Sequence, residues 1–338
     1  MTYLFAMDPF AQGLAGAALA STIIRNNEDT RVALVVGFLA GLAPDLDVFI
    51  HSSEDPLLRL EFHRQFTHSL FFIPLGGLLV AIFLWPFLRR KCSLFSIWKF
   101  SVLGYGTHGL IDSCTSYGTY LFWPFSYTRV AWNNVSIVDP VFSLGVLLFL
   151  SIAFFRRKPR LAHYGFTFGI FWLLLGLFQR ERARIVTRAL AEGRGHEIER
   201  LVVKPTIFNN LLWRSTYLSD DRIYADAIRL HFFSEPTIHH GVYVPLLDYE
   251  TLASVYGTDS RAYKDTLRFT HFSDGFVALK PGDPNVIGDV RYSLLPNSLD
   301  PVWGIRIDPD NPDSKTLFEN FRKVDSLTLD AFLNMLFD

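Results

Sequence analysis

Cysteine is nearly missing from this 338-residue sequence: there are two, Cys92 and Cys114, and neither sits in a CxxC pair. A thiolate zinc cluster and a disulfide framework are therefore excluded. Charge is scarce as well, at 19% of residues against the ~25% usual for soluble domains. No long Lys/Arg patch exists, which argues against nucleic acid as a partner. HExxH, GxSxG and Walker-type stretches are absent, leaving no support for a zincin, a serine nucleophile or an ATP-driven mechanism. No internal repeat or low-complexity stretch appears. Asp8 interrupts the start and no basic segment precedes an apolar run, so no cleavable signal peptide is expected.

What is present is unevenly placed. Half of the residues are hydrophobic and 15% aromatic, which excludes a disordered chain. Residues 1–192 carry 17 basic and 12 acidic groups, and residues 193–338 carry 15 and 21. Residues 69–88 (SLFFIPLGGLLVAIFLWPFL) hold no charge and match the ~20 apolar residues that a helix needs to cross a bilayer. Residues 141–155 and 161–179 are further apolar runs, and 94–111 is another, interrupted by Lys99 and His108. Residues 9–24 and 32–43 are short and rich in Gly and Ala, a composition that permits close helix packing. The expectation is an all-α transmembrane domain of four to six spans over 1–180. An arginine-rich amphipathic linker helix would cover 181–195. A small soluble α+β domain rich in antiparallel strands would cover 196–338.

Strands are expected at 200–204, 223–233, 241–246, 275–280, 286–293 and 302–307, with a closing helix over 314–337. If all six apolar runs cross, one face collects Arg25, Arg31, Arg89–Lys91 and Arg156–Arg160. The positive-inside rule leans towards that face being cytoplasmic, which puts the polar loops and the C-terminal domain outside. His239 and His240, adjacent in a strand region, read as surface residues, as does His51 in its polar loop. The aromatics of 117–132, Trp123 and Trp132 among them, read as an interfacial belt or as the lining of a lipid-like substrate groove.

The chemistry gathers at the ends of the apolar runs, in GLAPDLD (41–47), EFHRQFTHSL (61–70) and GYGTHGLID (104–112). His108 and Asp112 are four apart, hence on one helix face. That spacing suits two ligands of one metal ion, or a carboxylate orienting a ligating imidazole. Asp45 and Asp47 follow Pro44 in a turn-like segment where both can reach one side. His63 and His68 are five apart, so a turn is expected between them, with Thr67 or Ser69 capping the span that follows. Ionisable groups at membrane depth are expensive and usually functional. The candidate metal ligands are therefore Asp45, Asp47, His63, His68, His108 and Asp112. An oxygen–nitrogen set without cysteine suits zinc, manganese or iron(II). A shared carboxylate would allow two ions to be bridged for phosphoester cleavage. Arg64 and Arg129 are candidates for holding a substrate phosphate. Asp139 precedes Pro140 and reads as a helix start.

At GLAPDLD, HRQFTHSL, THGLID and SYGTYLFWPFSYTRVAW…VDP the sequence resembles the YdjM-like family of bacterial inner-membrane proteins, grouped as metal-dependent hydrolases. The resemblance covers most of 1–180. NNLLWRSTY, FSDGF and GDVRYSLLPN are similar to the C-terminal domain of longer members. It implies a distant likeness to the zinc-dependent phospholipase C and single-strand nuclease superfamily, whose HxxxD pair falls here on His108 and Asp112. Asp45, Asp47, His63 and His68 fall on the other ligand motifs. Many relatives also have a histidine close to the N-terminus. In MDPFAQG the comparable position is Gln12, a poor zinc ligand, which implies fewer than three ions or no catalysis.

The reading that results is a multi-pass inner-membrane hydrolase. It would act on a phosphoester or lipid-linked substrate through a metal-bound water, with Asp45, Asp47, His68 and His108 as its catalytic groups and membrane lipids as its surroundings. Two alternatives stand beside it. One is a non-catalytic scaffold with a structural metal or a partner-docking C-terminal domain. The other is a transporter, in which the ionisable groups would line a path through the bilayer.

Overall fold

The computed structural model describes residues 8–24 and 27–337. Met7 of the MDPFAQG stretch and Arg25 of the orientation argument lie outside the described residues. The chain divides into two compact units. One is built from the chain up to Phe49, Phe62–Phe178 and Ile207–Asn210; the other is built from Ile50–Glu61, Gln179–Thr206 and the chain from Leu211 onward.

The first unit is helical. Its elements are α1 (Pro9–Ser21), α2 (Thr30–Leu42), α4 (Ile73–Leu88), α5 (Leu94–Cys114), α6 (Pro140–Arg156) and the start of α7 (Pro159–Gly193), while the short α3 (Leu58–Phe62) straddles the division. Asp8 caps α1, Ser93 caps α5 and Asp139 caps α6, each through its side chain to a first-turn N–H. Pro9 and Pro140 stand in the first turns that follow, where a missing N–H does no harm. Asp139 is thus a helix start, and its other oxygen accepts from Trp172 Nε1 at 2.8 Å. Helix α5 packs against α1, α2 and α4. Alanines and glycines make these approaches close, with Ala11, Ala15, Ala17, Ala20, Ala33 and Ala40 all buried.

Among the described residues, three helical stretches are long and apolar enough to cross a membrane: Thr30–Phe49, Leu70–Leu88 and Pro159–Gly193. In the second, Phe83 and Phe87 stay 70% and 74% exposed, so its outward face is the apolar surface that lipid covers. Pro140–Arg156 is apolar but shorter. The apolar run 161–179 and the arginine-rich 180–192 form one uninterrupted helix of 35 residues, because nothing between Gln179 and Arg180 breaks it.

The second unit holds two antiparallel sheets. In the first, β1 (Arg200–Pro205), β2 (Leu212–Ser219), β3 (Arg222–Arg229) and β4 (Thr237–His239) lie in that order, with β5 (Tyr243–Pro245) also on β3. Helices α8 (Tyr249–Tyr256) and α9 (Arg261–Phe272) follow, then a sheet of β6 (Val277–Lys280), β7 (Asp283–Asp289), β8 (Trp303–Arg306) and β9 (Leu317–Asn320). Strand β2 was not expected from the sequence. Its polar Arg214, Ser215 and Thr216 mask it, yet all eight of its residues are buried. The guanidinium of Arg214 is reconciled with burial by the carbonyls of Val290, Leu295 and Pro296, although desolvation still pulls its pKa down to about 9. The closing helix, α10, spans only Ser326–Phe337; the segment before it includes β9. Segment 50–61 is tied to α9 by Arg268, which meets Glu61 at 2.7 Å and Asp55 at 2.8 Å.

Candidate metal centre

Pro44 has no N–H to continue α2, and the chain tightens into a 3₁₀ turn, Ala43–Phe49. This turn carries Asp45 and Asp47. A second 3₁₀ turn, Phe66–His68, carries His68, and Ser69 caps the turn that follows by accepting from Phe72 N. Helix α5 brings His108 and Asp112 on one face, as their spacing predicts. Gly109 lies between them on the side that meets the second turn, where a Cβ would collide with the carbonyl of His68. Glycine is what lets α5 approach that backbone.

The four groups Asp45, His68, His108 and Asp112 offer ligand atoms that all lie within 4.8 Å of one another, and so do Asp45, Asp47 and His63. All six expected ligands thus fall into two sets that share Asp45. His68 Nε2 and His108 Nε2 face each other at 2.9 Å. Asp45 Oδ1 stands 3.2 Å from His108 Nε2 and 3.5 Å from His68 Nε2, and Asp112 Oδ2 stands 3.2 Å from His68 Nε2. Asp45 keeps 14% of its side chain exposed while His68, His108 and Asp112 keep none, so the cluster opens at Asp45.

The outer contacts orient the imidazoles. His108 Nδ1 donates to the Gly41 carbonyl at 2.6 Å, which leaves the Nε2 lone pair for the cluster. His63 Nδ1 meets Asp47 Oδ1 at 2.7 Å. Asp47 Oδ2 accepts from Thr67 Oγ1 at 2.7 Å, and Tyr105 in turn donates to the Thr67 carbonyl. Burial pushes His63 below the ordinary histidine value, against the pull of Asp47. For His68 burial acts the same way, but hydrogen bonds to Asp112, Asp45 and Asp47 outweigh it and raise that histidine well above its ordinary value. A field that favours positive charge at His68 Nε2 also favours a cation.

The donor set passes a direct test of fit. Gln12 Oε1, Asp45 Oδ2 and His63 Nε2 are buried without a hydrogen-bond partner, a condition that costs about 1–3 kcal/mol each unless something is bound. The cluster holds three carboxylates, and the guanidinium of Arg64 stands beside one of them, its Nε 3.0 Å from Asp112 Oδ2. With neutral histidines the formal charge is −2, which one divalent cation cancels. Oxygen and imidazole ligands with no thiolate suit a hard or borderline divalent ion.

Residues 7–183, just over half of the chain, match the YdjM inner membrane protein family. The chain belongs to that family. No curated protein and no solved structure matches it. Within the YdjM region, Arg64 is buried against Asp112, donates to Thr115 Oγ1 at 3.1 Å and lies over the Tyr117 ring. Arg129 stands on a separate loop, where it donates to the Gly118 carbonyl and lies over Tyr120. Gln12 reaches the cluster: its Nε2 is 2.9 Å from Asp112 Oδ1 and 3.2 Å from His108 Nε2. Thr67 and the Gly41 carbonyl were not expected from the sequence. The sequence marks Thr67 only as a candidate helix cap, and no sequence signal marks a backbone oxygen as an imidazole anchor.

Proposed function

We propose that this YdjM family member is a multi-pass membrane hydrolase that cleaves a phosphoester at a two-ion centre. One observation carries the reading: Asp45 is common to both ligand sets. A carboxylate placed between two ligand sets is the arrangement that holds paired ions for in-line displacement at phosphorus. Asp45, Asp47, His63, His68, His108 and Asp112 would hold divalent ions, zinc first and manganese or iron(II) next, which would supply water activation and Lewis acidity toward a phosphoryl oxygen. The chain's own groups do the rest. His108, tied to Gly41, and His68, held by Asp47 and Thr67, present fixed Nε2 atoms, while Arg64 fixes Asp112 and adds positive charge behind it. Two divalent ions would turn the formal charge from −2 to +2, which favours a phosphate. Arg129 is the second candidate for holding that phosphate. The basic clusters at Arg89–Lys91 and Arg156–Arg160 support, by the positive-inside rule, a cytoplasmic assignment for their own side and the opposite side for the metal centre.

A structural metal without catalysis is the second reading. The observation that favours it is the amide of Gln12 pressed against His108 and Asp112. A proton or ion relay would call for a row of groups through the bilayer, and the compact cluster weighs against it.

The test is metal content of the detergent-purified protein by mass spectrometry, beside His68→Ala and His108→Ala. The expected result is a stoichiometric transition metal that both variants lose, followed by zinc-dependent cleavage of a generic phosphodiester such as bis(p-nitrophenyl) phosphate. No bound metal after zinc and manganese are supplied would sink both readings. Metal without cleavage of any phosphoester would leave the structural one.

A further inference from the structure

In the second unit one lysine lies where lysines are seldom found. Lys204 of β1 is only 7% exposed, and lysine is almost never buried unless paired. Its Nζ rests on the face of Tyr292, 3.1 Å from the ring centre. Among the described residues it takes no carboxylate partner. Asp289, whose charge reaches the amine, is already engaged. Arg291 donates to its Oδ1 through the backbone N and Nε, and to its Oδ2 at 2.7 Å.

Positive charge is in excess around this amine. Lys204 stands opposite Arg214 in the β1–β2 register, so both side chains leave the same face of the sheet, with Cβ atoms about 4.5–5.5 Å apart. Arg214 is buried, and its Nε has no hydrogen-bond partner. Arg291 Cζ lies 5.4 Å from the centre of the same Tyr292 ring. Arg322 covers Trp303, which packs on Tyr292. Burial first, and then the charge of Arg214 ahead of Arg291 and Arg322, drives the amine well below the ordinary lysine value against the pull of Asp289. The free amine is therefore the resident form, and Arg214 and Arg291 outnumber Asp289. A neutral nucleophile among surplus guanidiniums suits an electrophile whose adduct is an anion. An aldehyde would give an imine, neutral or cationic, and leave the excess in place. Carbon dioxide is small and apolar enough to enter a packed interior, and its adduct with an amine carries one negative charge.

We propose that Lys204 is a carbon dioxide site, at which Nζ adds to the carbon of CO₂ and the product is a lysine carbamate held beside Arg214 and Arg291. A C–N bond forms, one C=O electron pair moves onto oxygen, and a proton leaves the nitrogen for solvent. The carbamate offers an acceptor to Arg214 Nε and offsets the excess positive charge. Carbon dioxide then acts as a ligand that tightens β1 and β2 against the Asp289–Tyr292 segment. This site is independent of the metal centre.

The experiment uses the full-length protein in detergent, equilibrated with carbon-13 bicarbonate and then treated with triethyloxonium tetrafluoroborate, which converts a carbamate to its stable ethyl ester. Peptide mass spectrometry reads the labelled ester at each lysine. The expected result is a labelled fraction at Lys204 at least about tenfold above that at exposed Lys264 and Lys323, because burial and neighbouring cations favour the unprotonated amine. Two variants of matched shape test the preference for an anion without any adduct. Amide hydrogen exchange in β1 and β2 should be about fivefold slower in Lys204→Glu than in Lys204→Gln, the equivalent of ~1 kcal/mol. A labelled fraction at Lys204 no higher than at the exposed lysines overturns the proposal, whether or not the variants fold. Ethylation of Lys204 without the labelled carbon marks a free amine and overturns it too, as does faster exchange in the Glu variant than in the Gln variant.

Discussion

Asp45 differs from its five partners in serving both ligand sets, and single substitutions should reveal it. Asp45→Asn is expected to remove both ions, while His63→Ala removes one and leaves the Asp45–His68–His108–Asp112 set loaded. Metal-to-protein ratios after dialysis against a weak chelator distinguish the two; equal losses would refute the sharing. Gln12 offers the opposite experiment. Its amide N–H groups point at His108 and Asp112, where they compete with a cation for the same lone pairs. Gln12→His replaces a donor with a ligand, and zinc affinity measured by chelator competition should rise by about tenfold, or ~1.4 kcal/mol. At this scale much was legible. Spacing puts His108 and Asp112 on one face, and cost at membrane depth singles out the other members of the cluster. The sharing of Asp45 was not legible in itself. It depends on where two 3₁₀ turns bring side chains that lie far apart in sequence.

At the scale of elements, one close approach of backbone borders the cluster. Helix α5 can meet the His68 turn because residue 109 has no side chain. Gly109→Val should drive the two apart, shifting His68 away from His108. The expected result is a loss of zinc affinity of at least about tenfold with far-ultraviolet circular dichroism unchanged. Retained affinity would show that the turn yields to the new methyl groups. Element types in the helical unit follow from apolar runs and from Asp–Pro starts, which is why α4, α6 and α7 lie close to where composition places them. Strand β2 shows where that reasoning stops. Arg214, Ser215 and Thr216 look like loop, and only the carbonyls of Val290, Leu295 and Pro296, supplied from elsewhere in the chain, make burial of the arginine tolerable.

Over the whole molecule, the charge asymmetry between the two parts of the sequence marks a membrane part and a polar part. It does not reveal that residues 50–61 group with the polar one. Arg268, which gathers Asp55, Glu61 and Asp265, is one of the ties that make it, beside Arg261 to the Glu54 carbonyl and Lys315 to the Ser53 carbonyl. Burial would raise the Asp55 carboxyl, but hydrogen bonds and charge from Arg268 outweigh it and hold the group below its ordinary value of 3.8. A carboxylate with a depressed folded-state pKa stabilises the fold fully above the unfolded value and ceases to do so as the pH falls through the folded one. Segment 50–61 should therefore loosen only as the pH falls below that ordinary value, seen as faster pepsin cleavage within it. Arg268→Ala should make the cleavage fast across the acidic range and remove its pH dependence. An unchanged profile would show that other contacts hold the segment.

The common carboxylate has a thermodynamic consequence as well. Two ions leaning on one Asp45 would repel each other and divide its charge, so neither would have an affinity of its own. Whichever enters first alters the binding of the other, and by linkage the effect is returned by the same factor. Occupancy measured at a single free-metal concentration then conflates the number of places with the coupling between them. The shape of the whole loading curve, shallow for antagonistic ions and steep for cooperative ones, is what separates the two.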